Sequence, residues 1–220
     1  MKRLRLILLA AACSLCLASG AAAQLGGMNF FSKPNIADIF KPVVGQGAVY
    51  LSTSEGKDGR EMEMTIVGKE MTASGEAYWM EMGMPHGNGS DQKIYAKTLM
   101  TKDFQFSKMV LQMPGQGAME MPITPTDKDR ADMKSEMAKY TQVGTETITV
   151  PAGTFSCTHW KKADGTDDVW TSDKVTPLSM VKQVGKTHSM VLVRQITGAQ
   201  DHITGPVTAF DPKAFARPRQ

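Results

Sequence analysis

The sequence predicts a mainly β protein, a strongly curved antiparallel sheet in the form of a half-barrel of about 11 strands, with a short N-terminal helix and one plug or lid helix. Three observations predict it. Between residues 46 and 197 apolar side chains recur at every second position, the period of a strand whose successive residues point to opposite faces. Turn-forming pairs such as Asp164-Gly165 and Gly185-Lys186 separate these runs at short intervals. Within that span only residues 127–140 carry a helical period.

The chain opens with a leader. Lys2, Arg3 and Arg5 precede an apolar run over residues 6–17, and Ala21-Ala22-Ala23 offers small residues for cleavage before Gln24, so residues 1–23 read as a signal peptide and stand apart from the fold. This predicts an exported, periplasmic protein. Lipid attachment at Cys13 is the less favoured processing, because Ala10 stands where leucine is usual and the apolar run before it is short. No later run reaches the roughly 20 apolar residues that a spanning helix needs.

Charge narrows the partners. The chain has 25 basic and 22 acidic residues, and the three leader charges are all basic, so the body is electrically balanced. A balanced body has no electrostatic footprint for nucleic acid. Cys13 and Cys16 leave with the leader, so Cys157 has no internal disulfide partner.

Residues 24–45 form an N-terminal segment. Ser32 can cap a short helix with Pro34 in its first turn, and Ile36, Ile39 and Phe40 then share one face. From Gln46 the period becomes two, and residues 48–53, 60–68, 75–84, 93–101, 104–113 and 118–121 read as strands. Lys57-Asp58-Gly59 and Gly87-Asn88-Gly89 read as the turns between them. Pro122 and Pro125 break the sheet, and Thr126 or Asp127 can cap the helix at 127–140, on which Met133, Met137 and Tyr140 make one stripe. Strands resume at 143–150, 155–162, 167–171, 178–184 and 187–196, with Val150-Pro151-Ala152-Gly153 as a tight corner. Trp160 and Trp170 are expected to meet across the Asp164-Gly165 hairpin. Residues 198–220 form a tail with little periodicity, anchored at Phe210 and Phe215.

The densest feature is the methionine pattern. Tyr78, Met80, Met82 and Met84 fall two apart, as do Met62 with Met64, Met109 with Leu111 and Met113, and Met119 with Met121. The chain has 17 methionines against 8 phenylalanines. Unbranched, polarizable thioethers suit a wall that accepts more than one hydrophobic shape. Met62, Met64, Tyr78, Met80, Met82, Met109, Leu111 and Met113 are therefore the candidate wall of a hydrophobic ligand site, with Met133 and Met137 on the covering helix. Two other readings stand beside it. Met80, Met82, Met84 and His86 are soft ligands suited to Cu(I), although strand residues two apart stand about 6.5–7 Å from each other along the chain. Alternatively the methionines fill the core of a structural envelope protein.

Enzyme motifs are missing from the sequence. His86, His159, His188 and His202 are scattered, and neither a nucleophile elbow nor a phosphate loop or dinucleotide glycine pattern occurs. The expectation is a non-catalytic protein without a cofactor. Cys157 alternates with Phe155 and His159 but reads as a buried structural thiol. Asn88-Gly89-Ser90 matches a glycosylation sequon that its turn role explains.

Residues 144–160, Gly-Thr-Glu-Thr-Ile-Thr-Val-Pro-Ala-Gly-Thr-Phe-Ser-Cys-Thr-His-Trp, are followed by Asp168-Val-Trp-Thr-Ser and Val175-Thr-Pro-Leu-Ser-Met-Val-Lys182. With Gln112-Met-Pro-Gly115 and Met119-Glu-Met-Pro122, these segments resemble Met-rich exported bacterial proteins grouped with the LolA/LolB-like half-barrel superfamily. The resemblance covers about residues 45 to 197. It implies a curved sheet round a helix-plugged apolar cavity that holds acyl chains, hence a lipid or other hydrophobic small molecule as ligand and an envelope protein as possible partner. Lipoprotein carriers of that superfamily use an arginine near the cavity mouth, which is not placed in this sequence; the role the resemblance implies is that of a carrier or sensor in envelope lipid or lipoprotein handling.

Overall fold

The structure is a computed structural model that describes residues 39–54, 57–86, 91–123 and 126–210. The leader, most of the expected N-terminal helix, the 87–90 turn with its sequon, and Phe215 lie outside these residues.

Two meanders make one sheet. The first comprises β1 (Gln46–Ser54), β2 (Lys57–Thr72), β3 (Gly75–Pro85), β4 (Lys93–Thr101), β5 (Phe106–Gln112) and β6 (Ala118–Met121). Helix α1 (Asp127–Ala138) follows, and then the second meander: β7 (Tyr140–Val150), β8 (Gly153–Lys162), β9 (Asp167–Thr171), β10 (Met180–Gly185) and β11 (His188–Thr197). The two join where β11 pairs antiparallel with β1. A last strand, β12 (Val207–Ala209), pairs parallel with β6 and gives the order β12-β6-β5-β4-β3-β2-β1-β11-β10-β9-β8-β7. The sheet is open, with β12 and β7 at its edges.

The expected 11 strands are present and β12 is the addition, inside what the sequence presents as an irregular tail. Lys57-Asp58-Gly59 is not a turn but the start of β2. A Cβ on Gly59 would come within 2.9 Å of the Leu51 side chain, so this glycine permits close approach of β1 and β2.

Curvature comes from bulges. Register slips at Val49/Tyr50, Ile66/Gly68, Leu99/Met100 and Gln142/Gly144, and each slip adds local bend and twist. The curl brings distant strands together: Tyr50 Oη donates to the Met180 carbonyl at 3.1 Å, and the Ala152 N–H at the β7–β8 tip reaches the Leu192 carbonyl at 3.4 Å. Inside the curl lies the main core, which runs from Tyr50, Met64 and Ile66 through Phe104 to Phe155, Trp160, Leu178 and Leu192. Phe40 is buried there and its ring meets Tyr78 and Phe104.

Helix α1 ends two residues short of the expected 140. Its N-terminus is a capping box, with the Thr126 hydroxyl accepting from the Asp129 N–H and the Asp129 carboxylate accepting from the Thr126 N–H. Of its expected stripe, Met137 is buried and the helix packs on β7, while the Met133 side chain lies outside those described. Trp160 and Trp170 do not meet. Trp160 enters the core opposite Val169, whereas Trp170 pairs with His159 and stacks on its ring at 4.4 Å.

Gly47 is a test of how tightly β1 lies on β2. A Cβ there would meet the Met64 carbonyl oxygen and stand 2.8 Å from the Thr65 Cα, both backbone atoms that cannot rotate aside. Gly47→Ala should cost about 2 kcal/mol or more in denaturant unfolding. An unchanged midpoint would mean that the two strands separate more easily than this register implies.

Candidate ligand-binding face

Strand register decides where the thioethers go. Pairing places Ala48, Met64, Met82, Ala96, Leu111 and Met119 in one row across six strands. A second row runs Ile66, Met80, Thr98, Met109, Met121. Directly paired residues share a face of the sheet, so both rows pave the same surface, and Met62 joins it opposite Tyr50.

Most of the expected wall residues are on this surface. Met62, Met64, Tyr78, Met80, Met82 and Leu111 are buried, and Met109 is half-buried against Ala96, Leu111, Met119 and Met121. Met113 is the exception: β5 ends at Gln112, and Met113 lies past it, half-buried and outside the clusters. Tyr78 caps one end, where its hydroxyl donates to the Glu76 carboxylate and the Lys102 ammonium lies 5.8 Å from its ring. That hydrogen bond to Glu76 raises the Tyr78 phenol above its ordinary value.

Three residues that alternation does not single out complete the surface. Ala96 and Thr98, the contribution of β4, are small and sit between Met80 and Met82 on one side and Met109 and Leu111 on the other. They make a line of small side chains flanked by thioethers, a candidate trough floor. Ala96 belongs to a hydrophobic cluster separate from the one holding Met80 and Met82. Phe210, from the C-terminal segment, packs on the outer cluster of Ala96, Leu111, Met119 and Met121. The trough floor is covered, with Ala96 3% and Thr98 9% exposed. Two hollows among the described residues, of about 160 and 220 Å³, are lined by Thr72, Thr101, Phe104 and neighbours, and by Val49, Glu61, Arg194 and neighbours, without any methionine.

The copper set is not brought together. Met80, Met82 and Met84 occupy a fully paired strand, and His86 is exposed beyond Pro85. His159 and His188 lie apart from this strand. His159 bridges Glu146 and Asp168, at 2.7 and 2.6 Å from its two ring nitrogens. His188 lies against Gly185 at the β10–β11 turn. Cys157 is buried, and burial pushes its thiol up to about 11, far from reactive thiolate.

The opposite face carries a buried charge. Glu81 lies one residue out of phase with Met80 and Met82, so it points away from the trough, and its side chain is only 2% exposed. His202 covers it: Nδ1 is 2.6 Å from Glu81 Oε1, and the His202 backbone N–H donates to Oε2 at 3.2 Å. The His202 ring stacks on Tyr95 at 4.3 Å. Burial pushes the Glu81 carboxyl above its usual range and His202 pulls it partly back, while nearby Asp201 adds to the rise.

No protein-family profile matches the chain, and no curated protein matches it. Among solved structures, it is similar to a protein described as a lipoprotein from Parabacteroides distasonis, at 15% identity over 71% of this chain and 97% of that one, with a TM-score of 0.36. It is also similar to a protein described as exported, with a YmcC-like fold, from Bacteroides fragilis, at 14% identity over 71% and 98%, again with a TM-score of 0.36. Neither description names the LolA/LolB superfamily.

The Glu81–His202 contact makes a pH-dependent prediction. A carboxyl whose folded pKa is raised contributes stability below its unfolded value of about 4.3 and loses it as pH rises through the folded one. His202→Ala removes the group that moderates the rise, leaving Asp201 repulsive and Lys97 already engaged by Asp201. The variant should lose on the order of 2 kcal/mol at pH 7, less than a fully buried pair because His202 is part-exposed. The deficit should shrink as pH falls toward 4. A deficit of equal size at pH 4 and pH 7 in thermal melts would contradict this account of Glu81.

Proposed function

We propose that this exported protein binds the hydrocarbon tail of a lipid or acyl chain on its methionine face, non-covalently, and hands it on without chemistry. The observation that carries this reading is the register that brings thioethers from β2, β3, β5 and β6 onto one surface about a floor of small residues.

Distribution supports it. Met62, Met64, Met80, Met82, Met109, Met119 and Met121 all belong to the first meander, whereas Phe155, Trp160, Val169, Val181 and Leu192 dominate the second, where Met180 and Met190 are the exceptions. Branched and aromatic side chains fix a core in one arrangement. Thioethers rotate at low cost, so a wall built from them can part and close again around tails of differing length. Release of buried apolar surface on both partners is the driving force, at about 0.8 kcal/mol per methylene removed from water. That favours chains over compact ligands.

Titration with a fluorescent fatty acid tests the reading, and saturable binding is expected. Ala96→Met would fill the floor of the trough and should weaken binding at least about tenfold. Met109→Leu, which conserves volume, should change stability by less than about 1.5 kcal/mol. Lack of saturable binding by any acyl probe, or equal binding by Ala96→Met, would refute the proposal.

A further inference from the structure

The segment after β11 crosses from one face of the sheet to the other. Gly198, at φ +70°, turns the chain away from β11, and the Ala199 N–H donates to the Gly45 carbonyl at 2.9 Å. The strap then runs over the face opposite the trough. Asp201 pairs with Lys97, His202 covers Glu81, and the Ile203 carbonyl accepts from Lys97 Nζ at 3.1 Å. The Ile203 side chain is buried with Val110 and Ala118. Next, β12 pairs with β6 and becomes the edge of the sheet, with Val207 opposite Ala118 and Ala209 opposite Glu120. The Phe210 N–H donates to the Glu120 carbonyl at 3.1 Å, and the Phe210 ring lies on the trough side against Ala96, Leu111, Met119 and Met121.

We infer that residues 207–210 form an edge gate and that the place of the Phe210 ring, against the outer cluster of Ala96, Leu111, Met119 and Met121, is the entry position for the ligand's hydrocarbon tail. This rests on the function proposed above and adds to it where the tail enters and what holds the entrance shut. The geometry separates the two tasks. Charged and stacked contacts on the far face anchor the strap, while the part beside the trough is held through the parallel pairing of three residues, the Thr208 hydroxyl donating to the Ala118 carbonyl at 3.3 Å, and the packing of the Phe210 ring. Short edge pairing opens at low free-energy cost. Lifting 207–210 therefore exposes the outer methionine cluster without releasing Ile203 or His202. A phenyl ring packed on this cluster also occupies the volume of several methylenes, so ring and tail compete for one place. The closed gate then lowers apparent affinity by the fraction of molecules in which it is open.

The full-length mature protein tests this with two readouts, titration of a dansylated undecanoic acid and amide hydrogen exchange over 199–210. Phe210→Ala should bind the probe about fivefold more tightly or faster, and Phe210→Leu should fall between it and the parent. In the unsubstituted protein, added probe should speed exchange of the 207–210 amides and leave those of 199–203 protected. If the probe binds all three proteins with equal constants and rates, or binds without altering exchange at 207–210, the gate is refuted while the ligand-binding function stands. If none of the three binds the probe, the function fails and the gate with it.

Discussion

Hydrogen-bonded register across β2 to β6 is the constraint on which the rest depends. Side chains alternate with a period of two, so a slip of one residue would turn every thioether of a strand to the far face and bring Glu81, Lys97 and their neighbours inward. Nothing in methionine prefers one face over the other beyond burial. What pins the register is the contrast between phases: Met80 and Met82 alternate with Glu81 and Gly83, and Glu81 is itself held on the far side by His202. The Glu81–His202 contact and the trough are thus two consequences of one alignment.

The curl of the sheet divides the labour between its halves. The second meander folds its β7–β8 tip back to β11 and packs Phe155, Trp160 and Leu178 into a core of shaped side chains. Buried polar contacts reinforce it, since the Tyr140 hydroxyl and the Gln183 amide both donate to Asp167. The first meander contributes the unbranched thioethers of Met62, Met64, Met80 and Met82 to the same core. Branched and aromatic side chains are fixed in few rotamers, whereas a thioether changes rotamer at low cost, so rearrangement on the methionine face costs local side-chain changes and not the fold.

Much of this arrangement was legible in the sequence, and the limits have physical causes. Rows such as Met80 and Met82 stand out because their intervening residues are polar or small. Strand β4 is ambiguous: Ile94, Ala96 and Met100 share one phase while Tyr95 and Leu99 share the other, and both sides of β4 are covered, so alternation alone does not say which side floors the trough. The closing segment is harder still. β12 has three residues, too few to display a period, and the strap is held by pairs such as Glu81 with His202, 121 positions apart, which no local pattern encodes. Lys57-Asp58-Gly59 looked like a turn because its residues favour one, yet the demand for close approach to Leu51 determines the use of Gly59.

The most direct test of the central claim is methyl NMR of the protein labelled with ¹³C at its methionine methyls, titrated with a medium-chain fatty acid. The account predicts saturable shifts at Met82, Met109, Met119 and Met121, while Met180 and Met190 in the second meander and Met71, 76% exposed at the end of β2, stay in place. Shifts confined to Met71, or spread evenly over all the methionines without saturation, would contradict it and leave the thioether rows as packing alone.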